Sequence, residues 1–109
     1  MKKNSKHKYP THDEVTLDRI KRDPKFAVEY LKVAMEEATD EDGRFVLLNA
    51  IRQIAQAHGI AKIARAAGIR RESLSRALSA KGNPRLDTLV AVVRAMGLQL
   101  TVVRGRISA

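Results

Sequence analysis

The sequence predicts an all-α protein: a helical bundle with a helical extension before it and one short β-strand after it. Three observations predict this. Apolar residues recur at helical spacing through most of the chain, glycine and proline interrupt that pattern at short intervals, and two-residue alternation is confined to Leu98–Val103. At 109 residues and 12.1 kDa the chain has the size of one domain, with no room for a separate catalytic module.

The first segment, MKKNSKHKYPTH, has no apolar periodicity and is expected to form a disordered basic arm over residues 1–12. His7 and His12 have no partners at metal-ligand spacing there. A helical extension is expected over residues 13–43. It opens with a short helical turn around Val15 to Ile20, anchored weakly by Val15, Leu17 and Ile20. Asp23 before Pro24 then starts a full helix, because the carboxylate accepts from orphan N–H groups and proline has no N–H to leave unsatisfied. Phe26, Tyr30, Ala34 and Ala38, flanked by Ala27, Leu31 and Met35, form its apolar stripe. The acidic run TDEDGR resembles a calcium loop only superficially. Counted back from Gly43, the EF-hand's first and last ligand positions fall on Ala38 and Asn49, so the acids are read as caps of the next helix.

Residues 44–109 are expected to hold the main bundle. Its first helix carries Leu47, Leu48, Ile51, Ile54 and Ala55 at helical period and stops at Gly59. His58 lies in its last turn, where a structural role suits it. Two short helices follow, IAKIARAA and RRESLSRALSA, separated by Gly68, and Asn83-Pro84 breaks the chain again. A third amphipathic helix runs through Leu86, Leu89, Val90, Val93 and Met96 to Gly97. In LQLTVV, Leu98, Leu100 and Val102 alternate with Gln99, Thr101 and Val103. A lone strand leaves backbone groups unpaired, so this one is expected to pair with another chain, and Leu98, Leu100 and Val102 are the expected dimerisation residues. A copy of the chain is the economical partner, and another protein adding an edge strand is the competing one.

Composition narrows the function. The four rings, Tyr9, Phe26, Tyr30 and Phe45, are too few for an aromatic core, so the core should be aliphatic. Zero cysteines exclude disulfides, thiolate metal sites and a cysteine nucleophile, and suit a reducing cytoplasm. No apolar run is long enough for a membrane helix, and the lysine-rich start lacks the apolar stretch of a secretory signal. The net charge of +9 is unevenly placed. Residues 1–10 carry four lysines and no acid, residues 11–43 five bases and ten acids, and residues 44–109 twelve bases and two acids. A strongly basic half beside an acidic one suits a polyanion-binding domain joined to a segment for another partner.

Two short helices joined by a glycine-containing turn are the signature of a helix-turn-helix. The register agrees at several positions. Ala64, four residues before Gly68, is small where the helices cross, and Leu74, six residues after it, packs back toward Ala64. Ile63, Ala67, Ile69 and Ala77 fill the other inward positions, and none of these is charged. Outward on the second helix stand Arg70, Arg71, Glu72, Ser73, Ser75 and Arg76, side chains suited to base edges and phosphates.

On these residues the chain resembles two nested families. Residues 44–100 resemble the lambda-repressor-like (Cro/CI, or XRE) helix-turn-helix domain, a five-helix bundle. Within them IARAAGI, RESLSRALS, the Gly82 to Pro84 GNP and LDTLVAVVRAMGLQL resemble the addiction-module antidote proteins, the HigA-like antitoxins of type II toxin–antitoxin pairs. The likeness continues upstream through DPKFAVEYLKVAMEEA. Ser75 stands where that family commonly carries an aromatic residue after ESL.

The resemblance implies a second motif helix lying in the major groove while the first crosses the backbone. Carried onto this chain, Arg70, Arg71, Glu72, Ser75 and Arg76 are the expected base readers. Glu72 could equally orient Arg76, four residues later. Lys62, Ser73, Lys81, Asn83 and Arg85 are the expected phosphate contacts, which position the protein without reading sequence. The implied function is a DNA-binding repressor of its own operon that also neutralises a RelE/ParE-like toxin, with a stand-alone or phage-type repressor as the alternative. The expected partners are duplex operator DNA, a second copy and a toxin, with no membrane and no cofactor. Catalysis is not expected, because the histidines are scattered and no nucleophile has a base at workable spacing. The scarcity of aromatics likewise argues against single-strand or RNA binding by stacking.

Overall fold

The computed structural model describes residues 11–105. Six helices account for the fold: α1 (His12–Arg22), α2 (Pro24–Glu36), α3 (Glu41–His58), α4 (Ile60–Ala67), α5 (Arg71–Ala77) and α6 (Leu86–Ala95). α1 and α2 pack against each other and against α3. α4 packs on α3 and carries α5 and α6.

Local chemistry accounts for where the helices start. α1 begins at a reciprocal capping box: the Glu14 N–H donates to Thr11 Oγ1 at 3.1 Å, and the Thr11 N–H donates to Glu14 Oε1 at 2.7 Å. Asp23 caps α2 by accepting from the N–H groups of Lys25 and Phe26, with Pro24 in the first turn. Asp40 caps α3 by accepting from the Gly43 N–H at 2.8 Å, and Glu41 and Asp42 add negative charge to the same first turn. The acidic run therefore serves as a helix start.

The core is aliphatic apart from Met96. Ile51, Ile54, Ile63, Leu74, Leu78, Val92 and Val93 are its largest fully buried side chains. On α3 the buried positions Leu48, Ala50, Ile51, Gln53, Ile54 and Ala55 spread around well over half the helix, at about 100° per residue. One of them is polar. The Tyr30 hydroxyl donates to Gln53 Oε1, and Gln53 Nε2 donates to Asp13 Oδ1 at 3.3 Å, so one buried amide ties α2 and α1 to α3. No buried side-chain polar atom lacks a partner among the described residues.

Several expectations change. Among the described residues there is no β-strand, so the fold is six helices without the strand expected at Leu98–Val103, and the expected five-helix bundle is four helices, α3 to α6, with α1 and α2 before them. Gly97 has φ +81 and Leu98 donates its N–H back to the Val93 carbonyl at 3.1 Å, so Leu98 turns onto the core and closes α6. Leu100, Val102 and Val103 beyond it are exposed, and Val102 is 93% accessible. Alternation supplied the strand pattern, but no second strand lies alongside to complete a ladder. The turn expected around Val15 is a full helix, with Thr16 and Ile20 buried and Val15 in solvent. Leu86, read as a core anchor of α6, is 71% exposed, and Val92 takes the inward place. Of the expected arm, residues 1–10 lie outside the described residues, while Thr11 and His12 are the cap and first residue of α1.

Burial, and then the negative charge of Asp13, hold the Tyr30 hydroxyl above the ordinary tyrosine value of 10.0. The neutral hydroxyl is the form the fold favours. Its contribution is fully present below the ordinary value and is lost as pH rises through the raised one. Tyr30→Phe should cost about 1 kcal/mol at neutral pH, the worth of one hydrogen bond. Urea unfolding at neutral and alkaline pH should also show a smaller alkaline loss of stability in the variant than in the parent chain.

Candidate nucleic-acid interface

α4 and α5 are joined by three residues, Gly68, Ile69 and Arg70. Gly68 adopts φ +74, a left-handed conformation that glycine reaches without Cβ strain, and its N–H bonds back to the Arg65 carbonyl. Ile69 donates to the Ala64 carbonyl at 3.0 Å and is half-buried. The pair is locked by Ile63 and Ala64 from α4 and Leu74 from α5, all buried, with Ala67 and Ala77 half-buried beside them.

Burying Leu74 and Leu78 sets the rotation of α5 about its axis. At helical spacing, Glu72, Ser73 and Arg76 then point away from the core, with Ser75 on a flank and Arg71 nearest the buried side but exposed at the first turn. Arg70, Arg71, Glu72, Ser73, Ser75 and Arg76 are all exposed. Glu72 and Arg76 make no ion pair with each other among the described residues, so orientation of the arginine by the glutamate is not seen. The other expected contacts are also exposed, on neighbouring elements. Lys62 stands in the first turn of α4, Lys81 and Asn83 lie in the loop after α5, and Arg85 is the N-cap residue of α6, with its Nε 3.7 Å from Asp87 Oδ1.

That loop is held from two sides. Arg44 Nη1, at the start of α3, donates to the Gly82 carbonyl at 3.3 Å. Gly82 is itself buried so closely that a Cβ would lie 2.0 Å from the Ala77 carbonyl oxygen. The sequence marked a break at Asn83-Pro84, beside Gly82, and gave no sign of Arg44. The GNP tripeptide marked a turn, but nothing local marked its anchor 38 residues away.

The face is strongly cationic. Lys62, Arg65, Arg70, Arg71, Arg76, Lys81 and Arg85 are all exposed on α4, α5 and the loop to α6, against Glu72 and Asp87. Among the described residues no group of three or more histidines or carboxylates is placed to hold a metal ion, and no helix is long and apolar enough to cross a membrane. In class this is a small all-helical protein that presents one exposed basic helix on a packed support.

The comparisons with known proteins place it more narrowly. The family described as "Probable addiction module antidote protein" matches residues 15–104, and the chain belongs to that family, a regulatory and non-enzymatic class. An uncharacterized protein of Haemophilus influenzae is 40% identical over 78 residues, which cover 72% of this chain and 80% of that one. No solved structure matches the chain.

The two glycines here should respond differently to alanine. Gly68→Ala meets no atom within 4 Å and should lose only the conformational cost of a left-handed residue, about 1–2 kcal/mol. Gly82→Ala must displace backbone and should cost roughly 1–3 kcal/mol through overpacking, with local loosening around Lys81 to Arg85. Denaturant midpoints together with amide exchange in that loop would separate the two effects.

Proposed function

We propose that α4 and α5 form a DNA-binding helix-turn-helix of the XRE type and that the protein is an antitoxin that represses its own operon. The observation that carries the reading is the face of α5. A helix held from behind by Leu74 and Leu78 presents only polar and charged side chains outward, behind a turn whose glycine is left-handed. Such a helix can enter the major groove with its first residues at base edges.

In this reading Arg71 and Arg76 each offer a fork to guanine O6 and N7, and Glu72 accepts from cytosine N4 or stays solvated beside them. Arg70, at the N-cap, reaches a base or a phosphate, and Ser75 contributes a small donor. Lys62, Ser73, Lys81, Asn83 and Arg85 take phosphates and set the register. A single helix reads few base pairs, so two copies on two half-sites supply useful specificity.

The antidote description of the family supports a toxin partner of RelE/ParE type. The ten acids of residues 11–43 suit such a partner if it is basic.

Binding to the DNA upstream of its own gene, measured with variant chains, tests the reading. Arg71→Ala or Arg76→Ala should each weaken the matched site by roughly 1–3 kcal/mol and relax one base position. Lys62→Ala should weaken all duplexes alike and lower the salt slope by about 1. Operator preference that survives the double arginine change would rule the assignment out.

A further inference from the structure

We infer that the apolar groove between α2 and the chain after α6 is a docking surface for an amphipathic helix of a basic protein. The inference rests on the toxin half of the proposed reading, to which it adds the surface used and the chemistry of the contact.

The groove is open, with a volume of about 730 Å³. Val28 and Met35 form one wall from α2 and Leu100 and Val103 the other, with Leu31 and Leu98 between them. Val28, Met35, Leu100 and Val103 are four of the ten large apolar side chains exposed among the described residues. Gathered on one concave surface they make a contiguous apolar patch, which marks an interaction site where scattered single residues do not. Past Val28 and Leu98 the groove continues into a smaller hollow of about 360 Å³, bounded by Ile20, Pro24 and Met96. α2 runs beside the two hollows from Pro24 to Met35, about 16 Å or three helical turns. Val28, Leu31 and Met35 recur along it at spacings of three and four residues, the ridge against which a second helix packs.

Charge decides what kind of protein fits. At the Met35 end Glu36 lines the groove, and Glu37, Asp40, Glu41 and Asp42 follow within six residues, all exposed and with no base between Val33 and Gly43. None of these five carboxylates makes an ion pair among the described residues. Lys32, the base on that part of the wall, is 3.8 Å from Glu29. Lys21 and His58 stand at the opposite end. A guest helix therefore meets apolar wall along its length and uncompensated negative charge at the Met35 end, which selects Lys or Arg there. No residue of α4 or α5 lines either hollow, so the groove and the exposed basic helix are separate surfaces.

Titration of the full-length chain with the purified basic protein encoded beside its gene, the toxin of the proposed reading, tests this. Met35→Lys and Val28→Lys place a charge on the apolar wall and should each weaken the complex roughly tenfold or more. Glu36→Lys combined with Glu37→Lys should weaken it at low salt and much less at high salt. Val33→Lys, exposed on α2 outside the groove, should leave it unchanged. Circular dichroism would confirm that the variants keep their helix content. The parent chain supplies a second measurement. Among the described residues the N–H groups of Gln99 to Val103 bond to no backbone carbonyl, so the partner should slow their exchange with solvent and leave α5 unchanged. Groove variants that bind as the parent does, or exchange that slows in α5 alone, overturn the inference while the toxin reading stands. A parent chain that does not bind, or a gene with no basic protein encoded beside it, removes the toxin reading and the inference with it. A fall in mass of the Met35→Lys chain by itself, read by light scattering, makes a second copy the occupant and also overturns the inference.

Discussion

The fold depends on covering α3. Its buried positions extend around well over half its circumference, so a single neighbouring helix cannot shield it from water. Ile51 and Ile54 are each worth about 1.5–3 kcal/mol when fully buried, and an uncovered flank would forfeit that contribution. α1, α2 and α4 provide the cover, and α4 in turn holds α5 and α6. Gln53 adds geometry to this aliphatic contact. Its amide must be matched in a buried setting, and Tyr30 and Asp13 match it from two different helices, which restricts how α1 and α2 can rotate against α3.

The exposed basic helix is a consequence of that support. α5 has seven residues, too short to be stable by itself, and owes its position to Leu74, Leu78 and the turn at Gly68. Because the inward side of α5 is apolar, its charges collect on the other side without further instruction. The loop that follows has its own anchor in Arg44, so Lys81, Asn83 and Arg85 are carried by the start of α3 as well as by the end of α5.

The division of charge follows the division of helices. The acids of residues 11–43 cap and decorate α1, α2 and the start of α3, and the bases from Arg44 to Arg94 lie on α3 to α6 and the connections between them. In the proposed reading one half meets a polyanion and the other a basic protein, so the two partners need not compete for one surface.

Local chemistry made much of this legible from the chain alone. Asp23-Pro24, the acidic run before α3 and the glycines at 59, 68 and 97 each act within a few residues, and all are found where the pattern put them. The capping box of Thr11 and Glu14 was equally readable and would have predicted α1 at full length. The inward register of Ile63, Ala64 and Leu74 was readable because the left-handed glycine sets the phase of both helices at once. Other features required the neighbours to be in place. Leu86 and Val92 are both apolar residues of one helix, and only the position of α4 decides that Val92 is buried and Leu86 exposed. Leu98 to Val103 alternates like a strand, yet a strand is defined by hydrogen bonds to another strand, and none is present among the described residues. Periodicity is written in the sequence because it is a property of one helix. Which side of that helix meets protein and which meets water is a property of the packing.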